Sequence, residues 1–174
     1  MEYGGENLTY DEAGRILVWS KTEPSMDESS MIDEYAKGVC PSAFFGCQIL
    51  DSVDLPNAED IGDFAFQNSS ISNFNLPSAM EIGQFAFANN TVAERIELSE
   101  AKTIGANAFA DCTALRIVEL PSAREIGMNA FGGCTSLEEV VLESITIEEL
   151  MAIADDISLP DDCVVQCSDG EVRF

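Results

Sequence analysis

The chain of 174 residues has no histidine. A Ser-His-Asp triad and the zinc sites that use imidazole are therefore excluded. Basic residues are nearly as scarce, since eight Lys and Arg against 32 Asp and Glu leave a formal charge of −24. Nucleic-acid binding rests on neutralising phosphates with Lys and Arg, so no nucleic-acid partner is expected. An anionic membrane surface is disfavoured for the same reason. No apolar run approaches the ~18–20 residues of a membrane-spanning helix, so no membrane insertion is expected. The segment Met1 to Asn7 is polar and acidic, with neither a basic n-region nor an apolar h-region, so no signal peptide is expected within it. A protein not secreted by that route and one whose leader precedes residue 1 read alike.

Other chemistry is also missing. The six cysteines include no C-x-x-C spacing, and no stretch carries the clustered Gly and Lys of a phosphate loop or the alternating acids of a calcium loop. Carboxylate pairs such as Asp155-Asp156 and Asp161-Asp162 are present, but adjacency is expected by chance in so acidic a chain. Glycosidase-like use of two carboxylates needs a deep cleft. No catalytic residue, cofactor or metal site is expected. The negative charge has two readings: a solvated, self-repelling surface, or an acidic face for a basic partner or divalent cations.

What the chain does have is a period. Phe44, Phe66, Phe87, Phe109 and Phe131 recur at intervals of 22, 21, 22 and 22 residues, each preceded by Ala. Just upstream stand Ile61-Gly62, Ile82-Gly83, Ile104-Gly105 and Ile126-Gly127. A fixed period of this size signals a solenoid in which each unit stacks on the next. Further upstream, apolar residues flank one variable position: Val53/Leu55, Phe74/Leu76, Ile96/Leu98, Val118/Leu120 and Val140/Leu142. That alternation predicts short strands with one face inward. Pro56, Pro77 and Pro121 end three of them, because proline cannot donate to a continuing ladder. Strands so far apart in sequence pair in parallel, each with its copy about 4.8 Å away in the next coil. The five Phe then form one internal column, each contributing roughly 2–3 kcal/mol by burial. The Gly of each Ile-Gly pair serves either a positive φ or a close backbone approach.

Units such as 115–137, LRIVELPSAREIGMNAFGGCTSL, resemble the BspA-like leucine-rich repeats over about residues 39–142. The first unit departs from the pattern with Val39-Cys40 in place of Ile-Gly, and the third has Ser99 in place of Pro. The resemblance implies an α/β, strand-rich, right-handed leucine-rich-repeat solenoid of about five coils of ~22 residues. It places the short strands on the concave side. It also implies an extracellular or cell-surface protein used for adhesion and protein binding; some members resemble prophage structural modules.

The ends read as caps, giving three regions: 1–38, 39–142 and 143–174. Leu8–Tyr10 and Arg15–Trp19 flank Asp11-Glu12-Ala13-Gly14, a hairpin loop. Residues 20–29 read as a loop. Ser30 is placed to cap a short helix with Met31, Ile32, Tyr35 and Ala36 on one face, ended by Gly38. Thr146 and Glu149 form a capping box for a helix over about 146–155, with Ile147, Leu150, Met151 and Ala154 on one face. Cys163, Val165 and Cys167 alternate along a strand, and Glu171–Phe174 returns after the turn at Ser168-Asp169-Gly170. Cys47, Cys112 and Cys134 share one repeat position, filled elsewhere by Ser69 and Asn90, which suggests a small side chain bonding to a turn backbone. Stacked neighbours sit near 4.8 Å at Cβ, longer than the ~3.8 Å typical of a bridge, so free thiols are expected.

A partner would meet the variable strand positions. They are Ser52 and Asp54, Asn73 and Asn75, Arg95 and Glu97, Ile117 and Glu119, and Glu139 and Val141. A second set, Phe64 and Phe85, occupies one place in adjacent units where Asn107 and Asn129 stand later. Three functions compete: a non-catalytic protein-binding or adhesion module with an acidic concave face, a self-associating subunit of a prophage or cell-surface assembly, and a glycan-binding module.

Overall fold

Each repeat turns two corners, and its apolar residues occupy both. The computed structural model describes residues 8–19 and 30–174. In chain order the strands are β1 (Leu8–Tyr10), β2 (Arg15–Trp19), β3 (Ser30–Ile32), β4 (Gly38–Val39), β5 (Ser52–Asp54), β6 (Asp60–Ile61) and β7 (Asn73–Asn75). There follow β8 (Glu81–Ile82), β9 (Arg95–Glu97), β10 (Thr103–Ile104), β11 (Ile117–Glu119), β12 (Glu125–Ile126) and β13 (Glu139–Leu142). The helix α1 (Ile147–Ile157) and strands β14 (Val164–Cys167) and β15 (Gly170–Arg173) close the chain.

The two corners generate two kinds of parallel ladder. The Ile-Gly corner gives one seven-stranded sheet, β1-β2-β4-β6-β8-β10-β12. The first corner of each coil gives two shorter sheets, β3-β5-β7 and β15-β14-β13-β11-β9. Within each short sheet the inward strand residues meet their copies in register: Met31 with Val53, Val53 with Phe74, Ile96 with Val118, and Val118 with Val140. Between the two corners runs the Phe column. Its ring centroids are 5.1, 5.5, 5.5 and 5.8 Å apart from Phe44 through Phe131, all stacked within 19° of parallel. All five rings are buried.

The Ile-Gly glycines serve close approach rather than an unusual φ. A Cβ at Gly83 would lie 2.5 Å from the Asp63 amide nitrogen, and one at Gly105 would lie 2.5 Å from the Gly83 carbonyl carbon. The positive φ falls two residues later, at Ser42, Phe64, Phe85, Asn107 and Asn129.

The solenoid has about six turns, one more than the Phe count suggests. The short helix expected after Ser30 is absent: Ser30–Ile32 is β3, paired in parallel with β5. The same register puts Asp33 in the place of Leu55, Ala36 in that of Ala58 and Val39 in that of Ile61. Asp33 is buried there because its carboxylate is satisfied. It accepts hydrogen bonds from the Tyr10 hydroxyl, the Tyr35 N–H (2.9 Å) and the Ala36 N–H (3.2 Å). Burial and the neighbouring Asp33 carboxylate push the Tyr10 phenol well above its ordinary pKa. The loop expected over 20–29 lies outside the described residues.

The ends are closed by different devices. At the N-terminal end the β1–β2 hairpin forms as the sequence predicts, and β2 pairs in parallel with β4. At the C-terminal end α1 begins with the Thr146–Glu149 capping box and stops at Ser158 in the left-handed region. Its last carbonyls take over the ladder. The Asn107 and Phe109 N–H groups donate to Met128 and Ala130 of the next coil, and Asn129 and Phe131 donate instead to Asp156 (2.6 Å) and Ile157 (3.0 Å). Orphan acceptors at a helix end thus satisfy orphan donors at a solenoid end. Leu150 and Ile157 are the buried helix residues, and Met151, expected on that face, is exposed. The hairpin β14–β15 extends the other sheet, with β14 parallel to β13.

Candidate binding face

The outward positions of the three-residue strands form two columns. One runs Ser52, Asn73 on the first short sheet and Arg95, Ile117, Glu139 on the second. The other runs Asp54, Asn75 and then Glu97, Glu119, Val141. Asn73, Asn75, Arg95 and Glu97 are exposed and the remaining six are half-buried, while the residue between each pair points into the core. The columns gain members that the sequence reading omitted: Ser30 and Ile32 beside β5, and Val164 and Gln166 beside β13. Ile32 was hidden because its segment resembled a helix.

Parts of this face are already committed to internal contacts. Ser52 donates to the Ser30 hydroxyl (2.7 Å) and the Asn75 amide to Asp54 (2.7 Å). The Arg95 guanidinium pairs with Glu119, and Ser99 donates to Glu97 (3.1 Å). Exposed pairs of this kind contribute about 0–1 kcal/mol each, so they order the face more than they stabilise the fold.

A seam crosses the face. Among the described residues no hydrogen-bonded ladder joins β7 to β9, although the Ile-Gly sheet runs unbroken through the same coils. The coil before the seam is one residue short, since Phe66 to Phe74 spans one position fewer than Phe87 to Ile96. Asn90 bridges the shortened loop by donating to the Ile71 carbonyl (2.9 Å) and the Ser69 hydroxyl (3.2 Å). Phe74 sets its ring edge-on to Phe66 and Phe87, at 5.2 and 5.0 Å.

At the far end the face deepens into a cleft of ≈ 790 Å³ between the last repeat and the cap. Ile117, Glu139 and Val164 line it in one row. On the opposite sheet a smaller groove of ≈ 300 Å³ lies among Glu59, Asp60, Met80, Glu81, Lys102 and Thr103. Phe64 and Phe85 stack on each other at 5.3 Å and 7°, half-buried, and Asn129 continues their position by donating to Asn107 (2.6 Å).

A family model described as the BspA type leucine rich repeat region matches in six copies, over residues 28–138 and 80–153. The chain belongs to the BspA-type leucine-rich repeat family. Its solenoid is similar to a leucine rich repeat protein of T. pallidum, at 25% identity and a TM-score of 0.71, covering 82% of this chain and 72% of that one. A leucine-rich repeat protein from Bacteroides ovatus matches at 25% identity and a TM-score of 0.62, covering 79% of this chain. A leucine rich cell surface protein from Faecalibacterium prausnitzii shares the fold at 24% identity and a TM-score of 0.70, covering 87% of this chain. This BspA-type chain spans 42% and 41% of those two relatives. No curated protein matches by sequence.

The BspA-type coils also account for the shared cysteine position. The Cys112 thiol donates to the Phe87 carbonyl (3.1 Å) and the Cys134 thiol to the Phe109 carbonyl (3.0 Å), while Asn90 in the same slot accepts from the Ala93 N–H (3.1 Å). All six thiols are unbridged. Burial pushes Cys134 up to about 12 and Cys163 up to about 11. These are inert, protonated side chains at neutral pH rather than nucleophiles. Among the described residues no group of acids and cysteines could hold a metal ion, and no helix is long and apolar enough to cross a membrane.

Proposed function

We propose that this BspA-type solenoid is a non-catalytic protein-binding module whose specificity resides in the outward columns of the three-residue strands. The observation that carries this reading is the contrast within each strand. The inward residue is apolar in every coil and buried in all but one, Phe74 being half-buried, while its outward neighbours change from Ser and Asn through Arg and Glu to Ile and Val. The fold does not require that variation. Repeat proteins bind partners along such continuous faces. The acidity favours a partner with a basic surface, steered by long-range attraction. A cell-surface setting is proposed from the Faecalibacterium relative, whose description names it a cell surface protein.

The test is partner capture from surface-exposed proteins of host cells, comparing the parent with a Glu97→Lys/Glu119→Lys variant. Loss of a captured protein in the variant supports the reading. Unchanged recovery of every captured protein counts against it.

A further inference from the structure

The cleft at the C-terminal end of the strand face has a composition that selects one kind of ligand group. It opens between the 135–139 segment of the last repeat and the cap residues Asp161, Asp162, Val164 and Arg173. Its two arginines are already engaged. Arg116 makes a two-point contact with Glu138, Nε to Oε1 at 3.1 Å and Nη2 to Oε2 at 2.9 Å. Arg173 lies 3.8 Å from the Asp162 carboxylate and donates to the Asp162 carbonyl at 3.5 Å. An anionic ligand would have to compete with those carboxylates. Glu139 and Asp161, in contrast, have no ion-pair partner among the described residues. Glu139 is half-buried and stands in register between Ile117 and Val164, both half-buried and apolar.

We propose that this cleft receives a lysine or arginine side chain of the protein partner. The aliphatic stem lies on Ile117 or Val164, and the cationic head reaches the Glu139 carboxylate with Asp161 on the facing wall. Long basic side chains combine an apolar stem with a charged tip in this way. Four acids and two bases line the cleft, so charge complementarity points to the same occupant. The groove on the opposite sheet differs because its cation, Lys102, is in no ion pair among the described residues and is left to offset Glu59, Asp60 and Glu81. The assignment rests on the protein-binding reading above and narrows it to one side chain.

The experiment is a ¹⁵N-correlation titration of the full chain with an end-blocked peptide of alanine and serine containing one lysine. A matching peptide with acetyl-lysine removes only the charge. The expected result is shifts at the Ile117, Glu139 and Val164 amides that the acetylated peptide does not produce. Glu139→Gln should weaken binding about ten-fold or more, since it removes the central charge. Glu81→Gln, the same charge change on the other sheet, should leave affinity within about two-fold. Equal shifts with the acetylated peptide, or equal weakening by Glu81→Gln, would overturn the assignment. Lost peptide binding with intact partner capture would reject the cleft alone, and the converse would reject only the wider reading.

Discussion

The two ladders of this solenoid pass through the same coils and obey different rules. The Ile-Gly sheet runs without interruption through seven strands, whereas the three-residue strands divide between β7 and β9. The difference follows from how closely the coils approach. At Gly62, Gly83, Gly105 and Gly127 the backbones of successive coils leave no room for a Cβ. A change in length there would drive backbone into backbone. At the other corner the strands still pair within each short sheet, but between β7 and β9 the ladder stops, and there one coil is a residue short and Asn90 closes the gap. One side fixes the stack, and the other tolerates variation. A partner-specific surface can evolve on the tolerant side without loss of the fold.

Five changes would break or sharpen this contrast. Phe109→Ala should have the largest effect, a loss of about 3–5 kcal/mol in chemical denaturation, because the ring is stacked on both faces. A loss below ~1 kcal/mol would mean the column is not the core. Gly105→Ala should cost about 2–3 kcal/mol, since the new methyl meets the backbone of Gly83 and Gln84 and neither can yield cheaply. Alanine at the exposed strand position Glu97 should change stability by less than about 0.5 kcal/mol.

The buried thiols provide a fourth test. Cys134 and Cys163 are raised from 9.0 to about 12 and about 11 by burial. The unfolded chain therefore ionises first as pH rises. Stability attributable to these groups is fully present below about pH 9 and falls by roughly 1.4 kcal/mol per pH unit per thiol above it, until the folded thiol also ionises. Denaturation at pH 8 and pH 10 should show the decline, and Cys134→Ser should reduce its slope.

A local effect concerns the seam. Inserting Thr between Ser70 and Ile71 restores the spacing of the other coils. It should slow hydrogen exchange at the Arg95 amide about ten-fold while changing global stability by less than about 1 kcal/mol. No change at Arg95 would separate the seam from the missing residue.

Much of this was legible in the sequence, and the exceptions have physical causes. The Phe and Ile-Gly spacing states the coil directly, and Thr146 with Glu149 states the helix start. The first coil was hidden because Asp33 sits in a leucine position. Its burial depends on the Tyr10 hydroxyl, which reaches it from β1, and no local pattern shows that contact. Met151 shares a helical stripe with Leu150 on paper, but α1 buries the face through Leu150 and Ile157 and turns Met151 outward. The outward columns could be read from strand alternation alone. The cleft could not, because Asp161 and Arg173 reach it only through the fold of the cap.

The most direct test of the division between the two sides is a hydrogen-exchange footprint of the captured complex. The account predicts new protection in the three-residue strands β5, β7, β9, β11 and β13, with β6, β8 and β10 unchanged. Protection concentrated on β6, β8 and β10 would contradict it, because the locked side would then be the one that binds.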